Sequence, residues 1–164
     1  MNKAILYIIL IFSLSCHLQS SNGDTLSSIK KLLAFKILSI DSSLCLDSGN
    51  IGQGHPIVFI YFSPDCNHCQ NETKEILDHV SQLKHTKIYW VTNDPTDATK
   101  EFYSYFRFDT VKNMFVCKDY NYSFYRAYLP PDVPYIAIYN SKNKLVKVYR
   151  GETNIQSIIS SVQD

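Results

Sequence analysis

The chain has 164 residues, with 16 Lys or Arg against 15 Asp or Glu and a formal net charge of +1. A protein that binds nucleic acid normally carries a basic excess, so this near balance argues against a nucleic-acid partner. The 12 Tyr and 9 Phe residues favour a globular domain with a β-sheet. The length allows one such domain with a sizeable core, but not two.

The N-terminal segment has the pattern of an export signal. Met1–Lys3 is short and positively charged, and the apolar run Ala4–Phe12 is shorter than a membrane-spanning helix. A small residue before Cys16 resembles a bacterial lipobox, although Ser13 stands where that motif prefers Leu. We therefore predict a lipoprotein-type signal peptide over 1–15 and lipidation of Cys16. Ordinary cleavage after a nearby serine and an uncleaved anchor are the alternatives.

Each of these outcomes places the folded part of the chain outside the cytoplasm, where disulfides persist. Residues 16–33 are polar at first and are predicted to form a tether and N-terminal extension. The domain is predicted to cover 34–164. We expect an exported protein of the periplasm or cell envelope, anchored to a membrane through its lipid.

Apolar patterning from residue 34 onward predicts a series of strands and helices. Strands alternate with helices, and a terminal hairpin and helix follow, which is typical of an α/β fold. The prediction is a three-layer sandwich in which a central mixed β-sheet carries helices on both faces. The predicted strands are 34–40, 44–46, 57–62, 87–91, 113–117, 135–139 and 145–149, and the predicted helices end near 83, 107, 128 and 162.

Two cysteines, Cys66 and Cys69, follow directly after the continuous apolar run Ile57–Phe62. Such a run is typical of a central strand buried on both faces. The turn after it predicts that the cysteines lie on the first turn of a helix, where unpaired N–H groups and the helix dipole favour a thiolate. Cys66 is the predicted nucleophile, and Cys69, one turn inward, is the predicted resolving thiol.

The segment from Tyr61 to Cys69, Tyr-Phe-Ser-Pro-Asp-Cys-Asn-His-Cys, together with Val133-Pro134, resembles the thioredoxin-fold family. It is more similar to the exported TlpA-like thiol–disulfide oxidoreductases than to small cytoplasmic thioredoxins. The resemblance implies a thioredoxin fold from about Ala34 onward. One departure is Ile60, which stands where small thioredoxins carry a buried acid.

The resemblance also implies roles for residues outside the dithiol. It implies that the Val133–Pro134 bond is cis and that the backbone beside it pairs with a bound substrate strand. Glu72 occupies the place of an acid that is frequent in TlpA-like reductases, where it would move a proton to or from Cys69. The alternative is a solvated glutamate of the first helical turn. The distance from Cys69 to Pro134 fits a central insertion at about 102–128.

Asn67 and His68 lie between the two cysteines, where residues tune the reduction potential. A protonated imidazole beside Cys66 would stabilise its thiolate and make the disulfide more oxidising. The alternative is an exposed helix residue with little effect.

The remaining cysteines, Cys45 and Cys117, either bridge each other or remain buried free thiols, and sequence leaves both open. A structural zinc site would need four ligands, and the sequence offers no second Cys/His pair at suitable spacing. We therefore predict no metal and no cofactor.

We predict an exported thiol–disulfide oxidoreductase that acts on the thiols and disulfides of exported proteins. Relatives of the TlpA-like type imply a membrane redox donor and the reducing direction. The alternatives are an oxidase or isomerase with the same dithiol, and a thioredoxin-like module used only for binding.

Overall fold

A seven-stranded mixed sheet forms the centre of the computed structural model, which describes residues 31–163. The spatial order of the strands is β2-β1-β5-β4-β3-β6-β7. Strands β3, β4 and β5 run parallel, and all other neighbours are antiparallel. The strands are β1 (Lys36–Ser39), β2 (Leu44–Asp47), β3 (Ile57–Tyr61), β4 (Lys87–Thr92), β5 (Met114–Lys118), β6 (Tyr135–Tyr139) and β7 (Leu145–Arg150).

Four helices cover the two faces of this sheet within the described part of the chain: α1 (Asn67–Asp78), α2 (Thr96–Tyr105), α3 (Ser123–Tyr128) and α4 (Ile155–Gln163). Side chains of α1, α2 and α4 share one apolar core with one face of the sheet. The other face packs against α3 and the segment that precedes β1. The predicted three-layer arrangement, with a mixed sheet between helices, is confirmed.

The position of β3 between two apolar cores explains why its sequence is apolar at every residue. Its side chains alternate between the two cores: Ile57, Phe59 and Tyr61 face the α3 side, and Val58 and Ile60 face the α1 side. All five are buried. Because successive side chains of a strand point to opposite faces, a strand covered on both faces needs an apolar residue at every position.

The first predicted helix is shorter in the structure than in the sequence prediction. It ends at Asp78, and a 3₁₀ turn over Val80–Leu83 follows. His79 separates the two with non-helical backbone angles, φ −112° and ψ 14°. The side chain of Leu83 is fully buried all the same, so the tighter turn preserves the core contact that the periodicity predicted.

The sequence pattern predicts a third helix over 120–128, and in the structure this helix begins later, at Ser123. The Asp119 carboxylate accepts hydrogen bonds from the backbone N–H groups of Phe124 (3.1 Å) and Tyr125 (2.9 Å). These bonds satisfy N–H groups that the first turn of a helix leaves unpaired. A side-chain cap therefore fixes the start of α3.

The signal peptide and the lipidation of Cys16 are predictions for residues that the structure does not describe. Within 31–163, no helix is long and apolar enough to cross a membrane. The segment 102–128 contains the end of α2, then β5 and α3. Its assignment as a central insertion stays a prediction.

Cys45 and Cys117 form a disulfide, which resolves the alternative that the sequence left open. Their Cα atoms lie 6.1 Å apart, within the usual range for a bridge. The bridge joins β2 to β5 across β1, which pairs with both strands. It therefore fastens the N-terminal hairpin to the main sheet.

Replacing both Cys45 and Cys117 with Ala should lower the free energy of unfolding by about 4 kcal/mol, the loop-closure value for a bridge of this span. The bridge spans a sequence separation of 72. Urea unfolding followed by the fluorescence of the buried Trp90 measures the change. The matched control replaces Cys66 and Cys69 with Ala, and an equal loss in both variants would contradict the structural role of the bridge.

Candidate active site

Cys66 lies where the chain leaves β3 and enters α1. The turn is closed by a hydrogen bond from the Cys66 N–H to the Ser63 carbonyl (3.2 Å). The Cys66 carbonyl then accepts the bond from the Gln70 N–H (3.0 Å) that starts the helix. Cys66 is thus the N-cap of α1, and its side chain is half-buried. The helix dipole and the unpaired N–H groups at this end favour a thiolate.

Cys69 follows one helical turn later and has a different environment. Its side chain is fully buried in the core shared with α1 and α4. Burial raises the pKa of the Cys69 thiol well above its ordinary value, and the neighbouring Cys66 and Glu72 act in the same direction. The backbone of Ser63 opposes them through a hydrogen bond. The site therefore holds one accessible sulfur and one sulfur that retains its proton.

Glu72 is buried beside this thiol, with 1% of its surface exposed. The alternative of a solvated first-turn glutamate is therefore wrong. Burial raises its pKa to about 7, although a hydrogen bond from the Thr153 N–H to Oε2 (2.7 Å) opposes the shift. The other carboxylate oxygen, Oε1, has no hydrogen-bond partner among the described residues. Near neutral pH this carboxyl group can either accept or donate a proton.

Val133 and Pro134 lie opposite the dithiol, and the peptide bond between them is cis, as predicted. The Cys66 thiol is 3.9 Å from the Val133 carbonyl oxygen. Val133 precedes β6, and within 31–163 its N–H and carbonyl make no hydrogen bond to another backbone group. The carbonyl accepts only a long hydrogen bond from the Cys66 thiol, so both backbone groups are available to a bound peptide.

His68 is exposed, and its ring hydrogen bond is made with Glu152: Nδ1 lies 2.9 Å from Oε2. The Asn71 side-chain amide donates to the same oxygen (3.4 Å). These two contacts hold the pKa of the Glu152 carboxyl below its usual value. Asn67, the other residue between the cysteines, is exposed on the first turn of α1.

Sequence reasoning missed the segment 151–153, which joins β7 to α4. The Gly151 N–H donates to the Pro134 carbonyl (2.8 Å), Glu152 contacts His68, and the Thr153 N–H binds Glu72. Gly151 has φ +77°, a left-handed conformation that favours glycine. One short loop therefore contacts the cis-proline segment, the dithiol turn and the buried acid. The sequence signalled only a break between two elements here.

Solved structures of other proteins share this architecture at low sequence identity. MTB dsbF has a TM-score of 0.68 at 20% identity, over 80% of this chain and 94% of that one. A secreted Mycobacterium tuberculosis disulfide oxidoreductase described as homologous to E. coli DsbE has a TM-score of 0.67 at 15% identity, over 79% and 95%. The exposed lipoprotein thioredoxin Etrx1 of Streptococcus pneumoniae has a TM-score of 0.62 at 15% identity, over 80% and 98%.

The chain has the thioredoxin fold. Likeness at such low identity establishes the architecture and leaves the activity to be argued from the site. No protein-family model matches the sequence, and no curated protein matches it. Within the described residues, no three side chains of His, Cys, Asp or Glu are grouped so that they could hold a metal ion.

Glu72→Gln should flatten the pH dependence of stability. The pKa of Glu72 is raised from 4.5 to about 7, so between these values the folded state binds more protons than the unfolded state. The free energy of unfolding contributed by Glu72 then falls as pH rises from 5 to 8, by on the order of 2 kcal/mol. Gln mimics the protonated acid and removes this slope. Urea unfolding of the reduced protein at both pH values measures it.

The matched control is Glu101→Gln, because Glu101 is an exposed acid on α2 and does not contribute to the raised pKa of Glu72. This variant should keep the wild-type slope. A wild-type slope in Glu72→Gln, or a lost slope in Glu101→Gln, would contradict the assignment of the pH dependence to the buried acid.

Proposed function

We propose that the protein is a thiol–disulfide oxidoreductase that reduces disulfides of exported proteins. The observation that carries the proposal is the contrast between the two thiols of α1. Cys66 is accessible at the helix N-terminus, and Cys69 is fully buried one turn later. The structural neighbours include a disulfide oxidoreductase and a thioredoxin, which supports the same chemistry.

In the first step, the Cys66 thiolate attacks one sulfur of a substrate disulfide. A mixed disulfide forms between Cys66 and the substrate, and the other substrate sulfur leaves as a thiolate and takes up a proton. Val133 supports this step, because its backbone lies beside the Cys66 sulfur, makes no bond to other backbone groups within 31–163 and can pair with an extended substrate segment. Val133 and Pro134 are thus the proposed substrate-binding residues.

In the second step, Cys69 attacks the Cys66 sulfur. The Cys66–Cys69 disulfide forms, the second substrate sulfur leaves as a thiol, and two electrons have passed from the dithiol to the substrate. Cys69 must first lose a proton that its burial holds tightly. Glu72, with a pKa of about 7, is the proposed acceptor of that proton.

The site is then returned to its reduced form by a second thiol–disulfide exchange, for which we propose a dithiol of a membrane redox donor. Glu152 favours the reducing direction, because its negative charge lies against His68 in the dithiol turn and disfavours a second negative charge on Cys66. Asn67 and His68 remain the proposed residues that tune the potential.

For the whole chain, we propose export through a signal peptide over 1–15, lipidation at Cys16 and a tether that ends near residue 33. The domain would then work in the periplasm or cell envelope, with 102–128 as a central insertion. A disulfide between Cys45 and Cys117 suits a compartment that permits oxidation. One structural neighbour is a secreted protein and another is an exposed lipoprotein, which agrees with this location.

Single substitutions of the two thiols should separate their roles. Cys69→Ser should accumulate mixed disulfides with substrate, because the resolving thiol is gone, while Cys66→Ser should lower turnover by at least about a thousandfold, because no accessible nucleophile remains. Non-reducing electrophoresis of protein incubated with a disulfide-bonded substrate detects the adduct. Adducts that form with Cys66→Ser and not with Cys69→Ser would reverse the assignment.

The reduction potential of the Cys66–Cys69 pair, measured by equilibration with glutathione, tests the direction. We expect a value nearer to −270 mV than to −120 mV, the values of a reductant and of a strong oxidant of this fold. Glu152→Gln should make the potential less negative by about 10–30 mV, since removing a negative charge beside the dithiol turn makes a thiolate on Cys66 less costly.

The control is Asn71→Ala, which removes a neutral contact with the same Glu152 oxygen and should leave the potential nearly unchanged. A wild-type value near −120 mV would assign the protein as an oxidant. If the Cys66–Cys69 pair shows no reversible redox couple, the protein would instead be a thioredoxin-like binding module.

A further inference from the structure

The charges of the protein are separated along the strand direction. Strands β3, β4 and β5 are parallel, so their starting ends share one end of the sheet and their finishing ends share the other. The dithiol follows the finishing end of β3. We call the opposite end, where these strands begin, the lysine end, after six lysines that lie there: Lys31, Lys84, Lys87, Lys112, Lys142 and Lys144.

The topology places each of these lysines at this end. Lys84 and Lys87 flank the start of β4, and Lys112 shortly precedes β5. Lys142 and Lys144 lie in the turn between β6 and β7, since Tyr139 at the end of β6 pairs with Ile57 at the start of β3. Lys31 forms an isolated bridge with Lys144.

All six lysines are exposed, and none has a carboxylate within 4.0 Å among the described residues. Three carboxylates lie toward the same end: Asp41 in the turn after β1, Asp78 at the end of α1, and Asp109, which pairs with Arg107. Most loop carboxylates lie at the dithiol end: Asp65, Asp94, Asp97, Asp119, Asp132 and Glu152. Lys118 and Arg150 lie at that end as well and offset part of this charge. Although the net charge is only +1, one end of the sheet is therefore basic and the other is acidic.

The lysines line two open depressions. One, of about 560 Å³, has Lys31, Lys142 and Lys144 in its wall. The other, of about 160 Å³, is lined by Lys84, Lys87 and Lys112, with His55 and His85 beside them. Each depression offers three cationic side chains to an anionic group, and a phosphate group has the matching charge.

The lysine end is also where the N-terminal part of the chain joins the domain. Residue 31 is the first described residue, and Cys16, the proposed site of lipidation, precedes it by 15 residues. This step rests on that proposed anchor: a chain held at a membrane by a lipid on Cys16 would bring the lysine end toward the lipid surface. Lysines near an anionic surface each strengthen attachment by about fivefold. The occupant that fits both the charge and the point of attachment is a layer of anionic phospholipid headgroups.

We propose that the lysine end docks on an anionic membrane surface and directs the dithiol away from it, toward proteins in the aqueous compartment. The attraction is electrostatic, so it weakens as salt shortens the range of the charges. This inference goes beyond the redox activity and does not depend on it.

The test is lysine acetylation of the full chain bound to vesicles, quantified at each lysine by mass spectrometry. One vesicle is phosphatidylcholine, and the other contains phosphatidylglycerol as about a third of its lipid. On the anionic vesicle, the six lysines should react at least about fivefold more slowly than on the neutral one. Lys100 and Lys147, exposed elsewhere, should react equally on both. The protection should disappear at 1 M salt.

A pair of charge reversals gives the matched comparison. Lys142→Glu with Lys144→Glu should remove most of the protection at the other four lysines, while Lys100→Glu with Lys147→Glu changes the net charge equally and should preserve it. Equal labelling on both vesicles, or equal loss in both variants, overturns the proposal. The readout involves no thiol, so failure of the redox proposal leaves this result unaffected.

Discussion

The site depends on the burial of two ionisable groups one turn apart on α1. Cys69 and Glu72 are both removed from water, and the nearby Glu72 adds to the burial that raises the pKa of the Cys69 thiol. The backbone N–H of Thr153 is the one hydrogen-bond donor to the acid among the described residues. Under this constraint the Cys69 thiol retains its proton, and Cys66 is the sulfur that remains accessible to a substrate.

The sheet separates the two pairs of cysteines. Cys66 and Cys69 pack with the core on the α1 face, and Cys45 and Cys117 pack with the core on the α3 face. Since thiol–disulfide exchange requires direct attack of one sulfur on another, the layer of strands prevents the reactive pair from exchanging with the structural bridge. A single domain can thus contain a stable disulfide and a reactive dithiol together.

The sequence predicted the elements and the dithiol well because these are local signals. An unbroken apolar run, a turn and a Cys-x-x-Cys pattern lie within about twenty residues, and the cis-proline segment resembled a known motif. Helix ends were less accurate: non-helical backbone at His79 ends α1 early, and Asp119 delays the start of α3. The contact between His68 and Glu152 joins residues 84 positions apart, and only the folded chain brings them together.

The order of the cysteines along the chain determines when the disulfide between Cys45 and Cys117 can form. The four described cysteines have three fully paired connectivities, and only the one that joins Cys45 to Cys117 leaves Cys66 and Cys69 paired with each other. Because a chain is synthesised from its N-terminus, Cys66 and Cys69 are available to Cys45 before Cys117 has been made. The native bridge is therefore non-consecutive, and it depends on β5 reaching its place beside β1. Correct oxidation of this protein is a consequence of its folding, and the bridge marks a chain whose sheet is complete.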